Sequence, residues 1–240
     1  MLVIGGISNW HYEVSLSTRL IDSFVQGVEK QVADSIERYR TSRDNGTLTV
    51  YDVSTSCDSD EETSDSIGAS RTVEVHQGLD DETWDLDELF ERYFPNLQRR
   101  SALLPLWGFA EYELHKLCLL YQSENHFEKS VFDFGGKDRG IDLSVNYLQV
   151  IAGLKRLKTS QQWVQLKALQ EIRNVIAHND GRLNGPDGKP KSKVLSAMKK
   201  VGYVKGDFEL IFEQEFLSNA LKICCNYFTI LGTAIKDREP

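Results

Sequence analysis

Between residues 12 and 43 the apolar side chains Leu16, Leu20, Phe24, Val28, Val32, Ile36 and Tyr39 return every three or four positions. That period predicts a long amphipathic helix with one face to bury. Two β-prone runs follow, at 47–55 and 71–76, separated by the polar, acidic stretch SCDSDEETSDSIGAS, which has the composition of a mobile loop. A short helix is predicted over 85–93, stopping near Pro95, and then a long apolar helix over 97–121, the most hydrophobic stretch of the chain. A loop at Gly135 and Gly136 leads to a helix over 141–157, and Thr159 with Gln162 forms a capping box for the next. That helix runs through Trp163, Leu166, Leu169, Ile172 and Ile176 to His178, with Gly181 as its stop signal. The basic loop RLNGPDGKPKSK, a helix over 194–201, a β-hairpin over 203–212 turning at Lys205-Gly206-Asp207, and a final helix over 216–235 complete the chain. The fold expected is mainly α, a helical bundle with a long N-terminal helix and one or two small β-ribbons. Its expected parts are an N-terminal helix and β-prone segment (1–55), an acidic loop with a short strand (56–82) and a helical domain (83–240).

Charge changes the picture only once it is located. The chain of 240 residues carries a formal net charge of -8, which argues against a nucleic-acid partner. Residues 52–91, however, hold 14 acidic residues against the single Arg71, so the remainder is mildly basic. Residues 92–240 carry 22 Lys and Arg against 16 Asp and Glu, which permits contact with a phosphate backbone without requiring it. The four cysteines, Cys57, Cys118, Cys224 and Cys225, lack the spacings of zinc sites, so no thiolate metal site is expected. Cys118, Cys224 and Cys225 lie in apolar helical stretches and read as buried free thiols, suggesting a reducing, cytoplasmic compartment. No apolar run approaches a membrane span and MLVIGGISNWHYEV lacks a basic start, so no membrane partner and no export are expected.

The sharpest local feature is Glu171-Ile172-Arg173-Asn174-Val175-Ile176-Ala177-His178-Asn179-Asp180 at the end of a predicted helix. Asn174 and His178 stand four apart and share a helix face, so the amide can hydrogen-bond one imidazole nitrogen and aim the other at a substrate. Arg173 lies on an adjoining face, but its long side chain can bring a guanidinium, a bidentate phosphate ligand, to the same place. The spacing alone is weak: Arg71-Thr72-Val73-Glu74-Val75-His76 repeats it in a strand-like segment, where residues five apart point to opposite faces. The helical context, the Asn in second position and the apolar Val175-Ile176-Ala177 set the later match apart. No phosphate-cradling glycine loop, nucleophile elbow or metal-spaced histidine pair competes with it, and no cofactor is expected.

With Arg173, Asn174 and His178 in these positions the chain resembles the HEPN superfamily, and the apolar helix LLPLWGFAEYELHKLCLLY resembles the first bundle helix of that fold. The resemblance covers roughly residues 92–235 and leaves residues 1–80 without a counterpart. It implies an HEPN-like helical bundle, a metal-independent endoribonuclease acting as a homodimer with a composite site, and a role as a toxin or antiviral-defence effector with a neutralising antitoxin or defence-system partner. Cleavage by 2′-hydroxyl attack needs a base, an acid and positive charge facing the phosphorane, and two copies of His178 and Arg173 in one groove would supply them.

Plainer readings stand beside each of these residues. His178 can be a helix-terminal histidine favoured by the macrodipole, and Arg173 a solvated arginine. Glu111 and His115 are a candidate supporting pair for Arg173, or simply an i,i+4 helix pair. Asn179 and Asp180 can shape the turn after the motif. Arg182, Lys189, Lys191 and Lys193 can guide RNA or be a solvated charge run. The whole bundle can equally be a catalytically inactive interaction module that dimerises or binds a partner protein.

Overall fold

The first amphipathic repeat folds as one helix, α1 (Ile7–Asp44), in a computed structural model that describes residues 6–46, 48–54, 70–184, 189 and 191–237. The remaining elements are strands β1 (Thr49–Ser54), β2 (Ser70–His76) and β3 (Leu79–Asp80), the short helix α2 (Leu86–Glu88) with a π turn at Leu89–Tyr93, helices α3 (Phe94–Asn125), α4 (Gly140–Val150), α5 (Gln161–Asn179) and α6 (Ser192–Val201), strands β4 (Val204–Lys205) and β5 (Ile211–Phe212), and helix α7 (Phe216–Lys236). The chain is therefore mainly helical with a long N-terminal helix and two small antiparallel ribbons, β1-β2-β3 and β4-β5. It divides into two units, residues 1–29 with 99–240, and residues 30–98.

The larger unit holds the extended apolar core. Trp10 of α1, Leu103, Leu106 and Trp107 of α3, Ile141 and Leu148 of α4, Leu169 and Ile172 of α5, and Phe216 and Tyr227 of α7 are all essentially without solvent exposure. Helix α3 is apolar around most of its circumference, which suits an element packed on several sides. Two ion pairs tie α1 to α3: Glu29 takes a forked hydrogen bond from Arg99 (2.8 Å to Nη2) and Glu13 pairs with Lys116 at 2.5 Å. All four side chains are largely buried, so loss of either partner would leave a buried charge uncompensated. The thiols of Cys118 and Cys224 lie wholly inside this core, and Cys225 is half-buried; burial pushes the Cys118 thiol up to about 12 and raises that of Cys224 further.

The smaller unit is built on Tyr39, Leu86 and Phe90, with Leu79, Leu89 and Phe94 packed around them. In its ribbon, Thr49 pairs with Val75 and Ser54 with Ser70. Asp85 caps α2 by accepting from the Glu88 N–H at 2.9 Å, and Tyr39 donates to Asp87 at 2.7 Å beside Arg43. The acidic stretch after Ser54, expected as a mobile loop, lies outside the described residues up to Ser70, as does Cys57.

The face of α1 expected to be buried is partly open, with Leu16, Leu20 and Phe24 exposed, and three expectations about helix ends also change. Pro95 does not end the preceding helix: α2, the π turn at Leu89–Tyr93 and α3 run on without a break, with the wider π turn standing immediately before the residue that has no N–H to donate. The helix expected over 141–157 stops at Val150, with Gly153 in the left-handed region (φ 73) just beyond. The cap of α5 is Ser160, which accepts from the Trp163 N–H at 3.1 Å, in place of Thr159. Among the described residues no helix is long and apolar enough to cross a membrane.

Candidate functional site

Helix α5 begins on its Ser160 cap and buries Trp163, Leu166, Leu169, Ile172 and Ile176, so its polar residues are pressed to the remaining faces. At about 100° per residue, His178 stands roughly 40° around the helix from Asn174 but roughly 140° from Arg173. His178 is solvent-exposed, whereas Arg173 and Asn174 are half-buried. The Arg173 head group donates from Nη1 to Asn174 Oδ1 at 3.2 Å. Asn174 thus holds the guanidinium, and among the described residues no hydrogen bond joins it to His178, unlike the pairing expected from the spacing. Arg173 Nε is buried without a partner, so the guanidinium keeps unused hydrogen-bonding capacity.

The turn after the motif is defined in detail. Asp180 adopts the left-handed conformation (φ 49, ψ 39), and the N–H groups of Asp180 and Gly181 both turn back to the Val175 carbonyl. Asn179 contributes its carbonyl to the Arg182 N–H at 2.9 Å. The chain then pairs with the approach to β5: Leu183 N–H donates to the Phe208 carbonyl and Leu210 N–H to the Gly181 carbonyl, both at 2.8 Å.

Beneath this turn lies a residue that sequence reasoning missed. Arg100 of α3 is buried, and it donates to the Asp180 carbonyl (3.0 Å), Glu209 Oε2 (2.5 Å) and the Leu210 carbonyl (3.2 Å). It clamps the end of α5 to the strand segment that follows. Gly181 (φ 77) is required here twice over: a side chain would be strained in this conformation, and its Cβ would lie 2.9 Å from Arg100 Cζ. The available signal was the pair Arg99-Arg100 at the head of an apolar helix, two cations that must find carboxylates or carbonyls if buried.

The other candidates scatter. Glu111 reaches the start of α4, where its Oε1 would meet a Cβ on Gly140 at 2.6 Å. His115 stands edge-on to Phe132 at 4.8 Å, and burial lowers its pKa. Among the described residues neither bonds to Arg173, so the expected supporting pair is not assembled there. Arg182, Lys189 and Lys191 are exposed, and Lys193 pairs with Glu171 at 2.7 Å; residues 185–188 and 190 of the basic loop lie outside the described residues.

A groove of about 280 Å³ runs between α5 and α6, lined by Trp163, Val164, Lys167, Ala168, Glu171, Lys193, Ser196, Ala197 and Lys200. Among the described residues no three His, Cys, Asp or Glu side chains gather in a metal-binding arrangement. No protein-family model, curated protein or solved structure matches the chain.

Proposed function

We propose that the chain is a metal-independent endoribonuclease of the HEPN kind, acting through Arg173, Asn174 and His178 of two copies. The observation that carries this reading is the accessible imidazole of His178 one helical turn after Asn174, the residue that holds the Arg173 guanidinium. In the reaction, one His178 takes the proton of a ribose 2′-hydroxyl, whose oxygen bonds to the adjacent phosphorus as the bond to the 5′-oxygen breaks. The second His178 gives a proton to that departing oxygen, leaving a 2′,3′-cyclic phosphate and a 5′-hydroxyl. Arg173 neutralises charge on the phosphorane, and Asn174 positions Arg173. One imidazole cannot serve both proton transfers at once, which is why a twofold dimer belongs to the proposal.

The test is incubation of the purified protein with total RNA in the presence of a chelator, beside His178→Ala and Arg173→Ala, with the ends of the products identified by mass spectrometry. Cleavage by the wild type alone, ending in cyclic phosphate, is expected. RNA left intact by all three proteins would remove the enzyme reading. One observation then favours a second, an interaction module: Tyr12, Leu16, Leu20 and Phe24 form an exposed apolar row along α1, 40% to 68% accessible, that a binding partner would cover.

A further inference from the structure

We infer that the groove between α5 and α6 is a seat for single-stranded RNA, holding the strand beside the bond that His178 would cut. The direction of the strand rests on the ribonuclease reading; the groove itself stands on separate observations. The first is charge. From Lys189 to Lys205 the chain has six lysines and no aspartate or glutamate, within a protein whose net charge is -8. Helix α6 buries Val194, Ala197, Met198 and Val201, which leaves Lys193, Lys199 and Lys200 on its exposed faces.

The second is the composition of the groove. Val164, Ala168 and Ala197 with Trp163 make an apolar floor; Lys193 and Lys200 stand around it with Lys167, which Asp142 already holds at 2.6 Å. Unstacked bases need such a floor and their phosphates need such cations, whereas a duplex offers only its backbone. Glu171 is the single carboxylate in the lining, and it already pairs with Lys193, whose side chain is 74% exposed. An ion pair that open to water is weak, so a phosphate can draw Lys193 away.

The third is alignment. Val164, Glu171 and His178 follow one another at intervals of seven residues, each displaced only about 20° around the helix from the last. The groove therefore lies on the His178 face of α5, and Glu171 precedes His178 by roughly 10 Å along the axis. A strand lying in the groove is led along that face to the imidazole.

The experiment uses the full chain carrying His178→Ala, so that RNA persists, and follows labelled oligouridine by fluorescence anisotropy at several salt concentrations. Adding Lys193→Ala and Lys200→Ala should weaken binding roughly tenfold at moderate salt and reduce the slope of log affinity against log salt by about 1.4, the value for two lost phosphate contacts on a single strand. Lys193→Gln with Lys200→Gln should do the same with the thermal midpoint unchanged, which separates the effect from misfolding. Lys222→Ala with Lys236→Ala removes equal charge elsewhere and should change little. The inference is overturned if oligouridine does not bind, if the two pairs of variants lose affinity equally, or if polyglutamate binds as tightly as RNA. Binding through the groove without cleavage by the wild type would retain the groove and remove the nuclease; cleavage and binding indifferent to Lys193 and Lys200 would do the reverse.

Discussion

Arginine and histidine stand five residues apart twice in this chain, at Arg71 and His76 and again at Arg173 and His178, and the two histidines meet opposite surroundings. His76 ends strand β2 and is packed edge-on against Tyr39 (5.2 Å) and Phe90 (4.6 Å), where burial lowers its pKa. His178 occupies the last turn of α5 and is open to solvent, with Asn174 and its bound Arg173 one turn back. Spacing is thus an empty signal until secondary structure converts it into direction. On the helix, five residues leave arginine and histidine well apart in angle, and the arginine is held by Asn174, the residue one turn before the histidine.

The comparison is broken most directly by exchanging each histidine in turn. On the proposed ribonuclease reading, His178→Gln should reduce RNA cleavage by roughly 10²- to 10⁴-fold, the usual range for loss of a general acid or base, with little change in thermal stability. In the same assay His76→Gln should leave cleavage intact. If both substitutions lowered cleavage alike, the contrast between the two sites would collapse.

The next largest effect should come from the clamp beneath the motif. Arg100→Met removes the donor shared by Asp180, Glu209 and Leu210, and chemical denaturation should register a loss of about 3 kcal/mol. Gly181→Ala, forced into a left-handed conformation against Arg100, should cost about 1 to 2 kcal/mol in the same measurement. Both changes should loosen the helix end, visible as faster amide exchange at Asp180 and Gly181, and on the proposed reading they should reduce cleavage through that loosening.

The smallest effects belong to the packed histidine. His76→Gln should cost about 1 kcal/mol through its two aromatic contacts. Because burial lowers the pKa of His76 in the folded state, the unfolded chain binds its proton more readily. The contribution of His76 to stability is therefore complete above the ordinary histidine pKa of about 6.5 and is lost as pH falls through the lower folded value. Denaturation midpoints between pH 7 and 5 should fall more for the wild type than for His76→Gln.

Much of α5 was legible in the sequence because its signals are local: the apolar period, a hydroxyl cap within one residue of Ser160, and Gly181 past its end. The final helix, α7, was legible for the same reason. What escaped was whatever depended on distant partners. Arg100 reads as an ordinary cation at a helix head, and only the approach of Asp180, Glu209 and Leu210 from elsewhere in the chain makes it a clamp. The passage through Pro95 was hidden because a proline ordinarily stops a helix, and the π turn that precedes it here leaves no mark in the apolar period. The holding of Arg173 by Asn174 went unseen because the spacing favoured the partner one turn on over the immediate neighbour.

Cys118 and Cys224 have a practical consequence. Both sulfurs lie at zero solvent exposure, and burial holds them in the unreactive thiol form. Alkylation under native conditions therefore has to wait until the helices part. The rate at which these two sulfurs take up iodoacetamide is a stopwatch for that parting, already wound into the native sequence.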